Sequence, residues 1–205
     1  MKNEREYRNM ELRILEPQEN DEESFIVEGY ASTFEPYCLL SIDGTDYYER
    51  IEPEAFKTAD MSDVVFRVDH EGRVYARTSA GTVNLWTDEH GLGQRTDLSR
   101  TQAAKELFYD IKAGNYPKMS FAFTVADKGD RYDEATHTRI ISRIAKVFDV
   151  SPVCFPANPT TELGVATRDY FNGVIEMEKA ERLAREAREA QKEKIKQILE
   201  AHNGN

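Results

Sequence analysis

The chain has 205 residues, 40% of them hydrophobic, and a formal net charge of -11. That length allows one domain with a full core plus an appendage. The acidic balance excludes nucleic acid as the main partner, because a polyanion draws basic surfaces, and it offers no attraction to an anionic membrane.

No apolar run approaches the ~20 residues that span a bilayer. The opening residues, Met1-Lys2-Asn3-Glu4-Arg5-Glu6, lack the apolar stretch of a signal peptide. A cytosolic setting is therefore expected. The two cysteines, Cys38 and Cys154, lie far apart and outside any CxxC spacing, and read as free, buried, inert thiols.

Met10 to Leu15 alternates apolar and polar residues and predicts a strand, followed by an acidic turn from Glu16 to Glu23. Phe25 to Ala31 predicts a second strand. Asp43-Gly44 marks a tight turn, and Tyr47 to Ile51 is extended. Glu52-Pro53-Glu54-Ala55-Phe56 opens a short helix with proline near its first turn. Val64 to His70 predicts a strand that closes on the histidine. Val74 to Thr78, Thr82 to Trp86 and Leu92 to Leu98 are three further strands, parted by Gly81 and by Asp88-Glu89-His90-Gly91. Ser99 or Thr101 caps a helix through Ala104, Leu107, Phe108 and Ile111, which Gly114 terminates.

Met119 to Val125 predicts a strand and Lys128-Gly129-Asp130 a polar loop. Arg139 to Ile144 and Lys146 to Cys154 are extended, and Pro156, Pro159 and Thr160-Thr161 end the β region. From about Tyr170 to His202 there is no proline and the composition is helical. Residues 176 to 200 hold seven acids and seven bases, so the whole net charge belongs to the first 175 residues. The chain thus divides into a β-rich domain over residues 1–168 and a charged helical tail over 169–205. About eight short strands with one or two helices between them predict an α+β chain, mainly β, built as a barrel or sandwich.

Alternate strand residues share a face. Ser120, Ala122 and Thr124 therefore form a small, polar face, while Met119, Phe121 and Phe123 point into the core. Val147, Asp149 and Ser151 share another face, with Phe148 and Val150 on the core side. Asp149 sits in an apolar run, where a carboxylate needs partners. One reading supplies them: Ser120 as nucleophile, His70 as base and Asp149 as the acid that orients the imidazole. Spacing alone favours ordinary polar positions on exposed strand faces over the triad, because a triad is recognised by geometry and not by sequence position. Asp69, the neighbour of His70, ranks below Asp149 as the orienting acid because adjacent strand residues face opposite ways. A zinc site from His70, His90 and Asp69 has no HExxH or CxxC spacing behind it, so no metal and no cofactor is expected. His90, His137 and His202 read as solvated.

The runs around His70 and Ser120, with Phe148-Asp149-Val150-Ser151-Pro152-Val153-Cys154-Phe155-Pro156-Ala157-Asn158-Pro159-Thr160, resemble the prohead (capsid maturation) serine proteases of HK97-type tailed phages. Gly29-Tyr30-Ala31-Ser32-Thr33-Phe34, Glu49-Arg50-Ile51-Glu52-Pro53-Glu54-Ala55-Phe56 and Asp88-Glu89-His90-Gly91-Leu92 resemble further signatures of that family, in the expected order over about residues 5 to 165. The resemblance puts the family's histidine on His70, its serine on Ser120 and its acid on Asp149, where glutamate is usual. Alanine at 122 and Pro53-Glu54-Ala55-Phe56 also depart from the family pattern.

The resemblance implies a closed or partly closed β-barrel similar to the herpesvirus assembly proteases, followed by the C-terminal helix. It implies an endopeptidase inside the assembling procapsid in the host cytoplasm. Its substrates would be the major capsid protein with its scaffolding segment, and then itself. It also implies a homodimer or higher homo-oligomer. Thr167-Arg168 is a candidate self-cleavage region, and the substrate is expected to lie extended across the Ala122 and Thr124 face. The competing expectation is a non-catalytic assembly module of the same fold that binds through its helical tail.

Overall fold

The computed structural model describes residues 6–14, 24–154 and 165–203. The strands in chain order are β1 (Glu6–Ile14), β2 (Ile26–Thr33), β3 (Tyr37–Ile42), β4 (Thr45–Ile51), β5 (Val65–Val68) and β6 (Glu71–Arg77). They continue as β7 (Val83–Thr87), β8 (Gly91–Asp97), β9 (Lys118–Val125), β10 (Asp130–Asp133), β11 (Thr138–Ile141) and β12 (Ile144–Val153). Helix α1 (Gln102–Lys112) lies between β8 and β9, and α2 (Val165–Asn203) follows β12. Pro53–Phe56 and Thr78–Ala80 are short 3-10 turns. The chain divides into two compact units, Met1–Gly164 and Val165–Asn205.

Within the first unit, eight strands form one sheet in the order β6-β5-β12-β9-β1-β2-β8-β7, and four form another in the order β10-β11-β4-β3. The larger sheet has two halves hinged at β1, which pairs with β9 through residues 6–11 and with β2 through residues 12–14. Counting those halves separately gives three sheets. Side chains from β2, β5, β6, β7, β8, β9 and β12 meet in one core, which Leu107, Phe108 and Ile111 of α1 join. The sheet must curl to bring them together.

Its terminal strands, β6 and β7, are consecutive in sequence. Thr82 donates from its N–H to the Arg77 carbonyl and accepts the Arg77 N–H on its Oγ1. Among the described residues, however, no ladder joins β6 to β7, so of the closed or partly closed barrel expected, the closed form is not made. The Thr78–Ala80 turn takes up the chain where a ladder would have to begin.

Local chemistry explains most elements. Thr101 caps α1, its Oγ1 accepting the Ala104 N–H at 3.1 Å, and Gly114 follows with φ +85°. Asp43 and Gly44 both take positive φ, as a two-residue hairpin between β3 and β4 requires. Strands β3 and β10 were not expected from the sequence. Cys38 on β3 is exposed, contrary to its reading as a buried thiol, because it lies on the outer face while Leu39 and Leu40 are buried at a register shift. The Glu16 to Glu23 turn and the Pro156 to Thr161 terminator lie outside the described residues. Thr167-Arg168, the candidate self-cleavage region at the domain edge, falls in the first turn of α2, and Thr167 is fully buried.

A buried ion cluster ties β1 to the smaller sheet. Arg139 on β11 forms two hydrogen bonds to the Glu6 carboxylate, at 2.6 and 2.9 Å. Its guanidinium also donates to Glu49 at 3.3 Å and to Asp130 at 2.8 Å. Arg139, Glu6 and Glu49 are almost wholly shielded from solvent.

Candidate active site

Three elements that adjoin in the sheet, the β5–β6 hairpin, β12 and β9, converge at one place. On β9, Met119, Phe121 and Phe123 are fully buried in the core, and Ser120 lies on the opposite face. Ser120 stands directly across from Ser151 on β12, and Ala122 across from Asp149. The alternation expected for β12 breaks at Phe148, where a bulge separates the Val147 and Asp149 pairings. The extra residue shifts parity, so Val147 joins the core and Phe148 is only partly buried. Asp149 still reaches the Ser120 face because the bulge comes before it.

His70 is not on a strand. Strand β5 ends at Val68, which pairs with Glu71 of β6, and Asp69-His70 is a two-residue hairpin turn. Both turn residues have positive φ, +46° and +61°. Asn-Gly is the usual occupant of such a turn, and a histidine there is strained. The strain is held by bonds to the end of β12. The Asp69 N–H donates to the Pro152 carbonyl at 3.1 Å, and the Asp69 carboxylate accepts the Cys154 N–H at 3.1 Å. Asp69 thus fixes the turn and leaves the imidazole to others.

The imidazole bridges the two strands. Its Nε2 lies 2.7 Å from Ser120 Oγ and its Nδ1 lies 2.6 Å from Asp149 Oδ1. Asp149 Oδ1 also accepts the Ser151 hydroxyl at 2.7 Å. An ionised carboxylate only accepts, so Nδ1 carries the proton and Nε2 is left to accept from Ser120. Ser120 and Ser151 are fully buried and Asp149 nearly so, while the His70 side chain is 16% exposed. Asp149, one methylene shorter than a glutamate, therefore spans the gap to the imidazole. Burial, followed by the charges of Asp110 and Asp69, pushes the Tyr116 phenol up.

The face carrying Ser120, across which the substrate is expected to lie, is shielded from solvent: Ala122 is fully buried and Thr124 nearly so. The alternative zinc residues do not gather. Asp69 faces Cys154, and His90 packs edge-on against Tyr30 with ring centroids 5.9 Å apart. Among the described residues no group of three His, Cys, Asp or Glu side chains is placed to hold a metal. Nor is any helix among them long and apolar enough to cross a membrane. Sequence reasoning put Ser151 on the face of Asp149 but gave it no part. The i, i+2 spacing was the signal for one.

No curated protein and no solved structure matches the chain at a significant level. A family model does, over residues 9–174, and it is described as the Caudovirus prohead serine protease. That span takes in the serine, the histidine and the aspartate just described, and covers most of the 205 residues. The chain belongs to the Caudovirus prohead serine protease family, whose role is proteolysis during capsid maturation.

Proposed function

We propose that Ser120, His70 and Asp149 are the catalytic triad of this serine protease. The observation that carries the reading is one imidazole within hydrogen-bond reach of both a buried hydroxyl and a buried carboxylate. Ser120 Oγ attacks the scissile carbonyl carbon while its proton passes to His70 Nε2. The imidazolium formed is held by Asp149 and returns the proton to the leaving amine. Water then hydrolyses the acyl-enzyme by the same route.

The substrates proposed are the major capsid protein, at its scaffolding segment, and then the protease itself. The setting is the assembling procapsid in the host cytoplasm, and the working form is a homo-oligomer. Family membership supports the substrate class. The curl of the eight-stranded sheet supports a partly closed relative of the herpesvirus assembly protease barrel.

The test is Ser120→Ala co-expressed with the capsid protein. Cleavage should cease while the thermal unfolding transition stays in place. Capsid cleavage at the wild-type rate by Ser120→Ala would remove the assignment and favour a non-catalytic assembly role.

A further inference from the structure

We infer that Ser151 is a positioning residue for proteolysis, acting on the imidazole through Asp149; this rests on the triad reading above. Its hydroxyl is fully buried and donates to Asp149 Oδ1 at 2.7 Å, the same oxygen that accepts His70 Nδ1–H at 2.6 Å. Ser151 is also the ladder partner of Ser120, so nucleophile, acid and this second hydroxyl are spaced by the β9–β12 pairing.

Two consequences follow. The first is geometric. A carboxylate on a short side chain can swing about two torsions, and a second donor on the oxygen that faces His70 holds one orientation. The bulge at Phe148 makes this more pressing, because the backbone just before Asp149 departs from regular strand geometry. The second is electrostatic. A hydrogen bond given to a carboxylate stabilises its charge and lowers its attraction for another proton. The Ser151 hydroxyl therefore shares the charge that would otherwise fall wholly on the imidazole. Without it, Asp149 holds the imidazolium more tightly, and His70 gives up its proton to solvent only at higher pH.

The experiment compares wild type, Ser151→Ala and Ser151→Cys. Cysteine keeps most of the side-chain volume but is a weak donor. Each is assayed for cleavage of a capsid-derived peptide and for the pH dependence of labelling by a fluorophosphonate probe, with thermal unfolding as a check on folding. Both variants should lose kcat by about 10–100-fold, the effect of one hydrogen bond to a charged group, with KM little changed. In both, the acidic limb of the labelling profile should move to higher pH. A purely structural role would leave that limb in place.

If Ser151→Cys keeps the wild-type rate and limb, volume and not the hydrogen bond is what matters, and the inference fails. It fails equally if the limb stays put, or moves to lower pH, in both variants. Failure of the triad reading looks different: wild type would not be labelled at Ser120, or Ser120→Ala would still cleave.

Discussion

Asp149→Asn isolates the charge of the proposed acid from its shape. Asparagine keeps a carbonyl oxygen where Asp149 Oδ1 now accepts from His70 and Ser151, so both donors retain an acceptor. What is lost is the negative charge opposite the imidazolium that forms during attack. With charge centres ~4 Å apart and an effective dielectric of about 20, that attraction is about 4 kcal/mol, or close to a thousandfold in rate. The higher dielectric is the right choice because the His70 side chain is 16% exposed and water reaches one side of the pair. The assay is the rate of covalent labelling of Ser120 by a fluorophosphonate at neutral pH, beside kcat/KM on a capsid-derived peptide. Both should fall about 10³-fold with the unfolding transition unchanged. A loss nearer ~10⁴ would mean that the amide has turned its NH2 toward the imidazole and reversed the tautomer. Labelling within tenfold of wild type would refute the reasoning, because the carboxylate would then not face the imidazole in the working enzyme.

Arg139→Met should destabilise the first unit by about 3–5 kcal/mol, because it leaves the buried carboxylates of Glu6 and Glu49 without the guanidinium between them. The midpoint of thermal unfolding should fall by on the order of 10 °C, and a fall of less than about 3 °C would show that the cluster has little energetic part. Asp88 accepts from the Tyr30 hydroxyl, from the Trp86 indole and from the N–H groups of His90 and Gly91. These bonds hold its carboxyl down at about 2, against an ordinary value of 3.8. A depressed value means that the stabilisation is present above ~pH 4 and disappears as the pH falls toward ~2. Urea melts of wild type and Asp88→Asn should therefore differ at pH 6 and converge near ~pH 2. A difference independent of pH would rule out the ionised carboxylate as its source.

The readable part of the site lay in local pattern. Period-two alternation along residues 119–124 put Ser120 opposite the buried Phe121 and Phe123, and the same rule put Asp149 and Ser151 on one face. It failed where the backbone left regular geometry. The bulge at Phe148 changed which neighbours of Asp149 enter the core, and His70 proved to be a turn residue with positive φ. Neither shows as a Gly or Asn, the residues that usually announce such backbones. Strands β3 and β10 went unread for a related reason: Cys38-Leu39-Leu40 contains a register shift, and Asp130–Asp133 has only Tyr132 among charged residues.

By itself, then, the order of residues determined the Asp43-Gly44 turn, the cap and stop of α1, the apolar stripe of β9 and the collinear motifs that mark the family. These depend on groups a few positions apart, whose interactions are set by local backbone geometry. Only the tertiary structure decided that residues 70, 120 and 149 share one hydrogen-bonded line, and that the sheet curls without a ladder between β6 and β7. Those outcomes come from pairing strands remote in sequence, β12 with β5 on one side and with β9 on the other. Their free energy resides in contacts that no single segment contains.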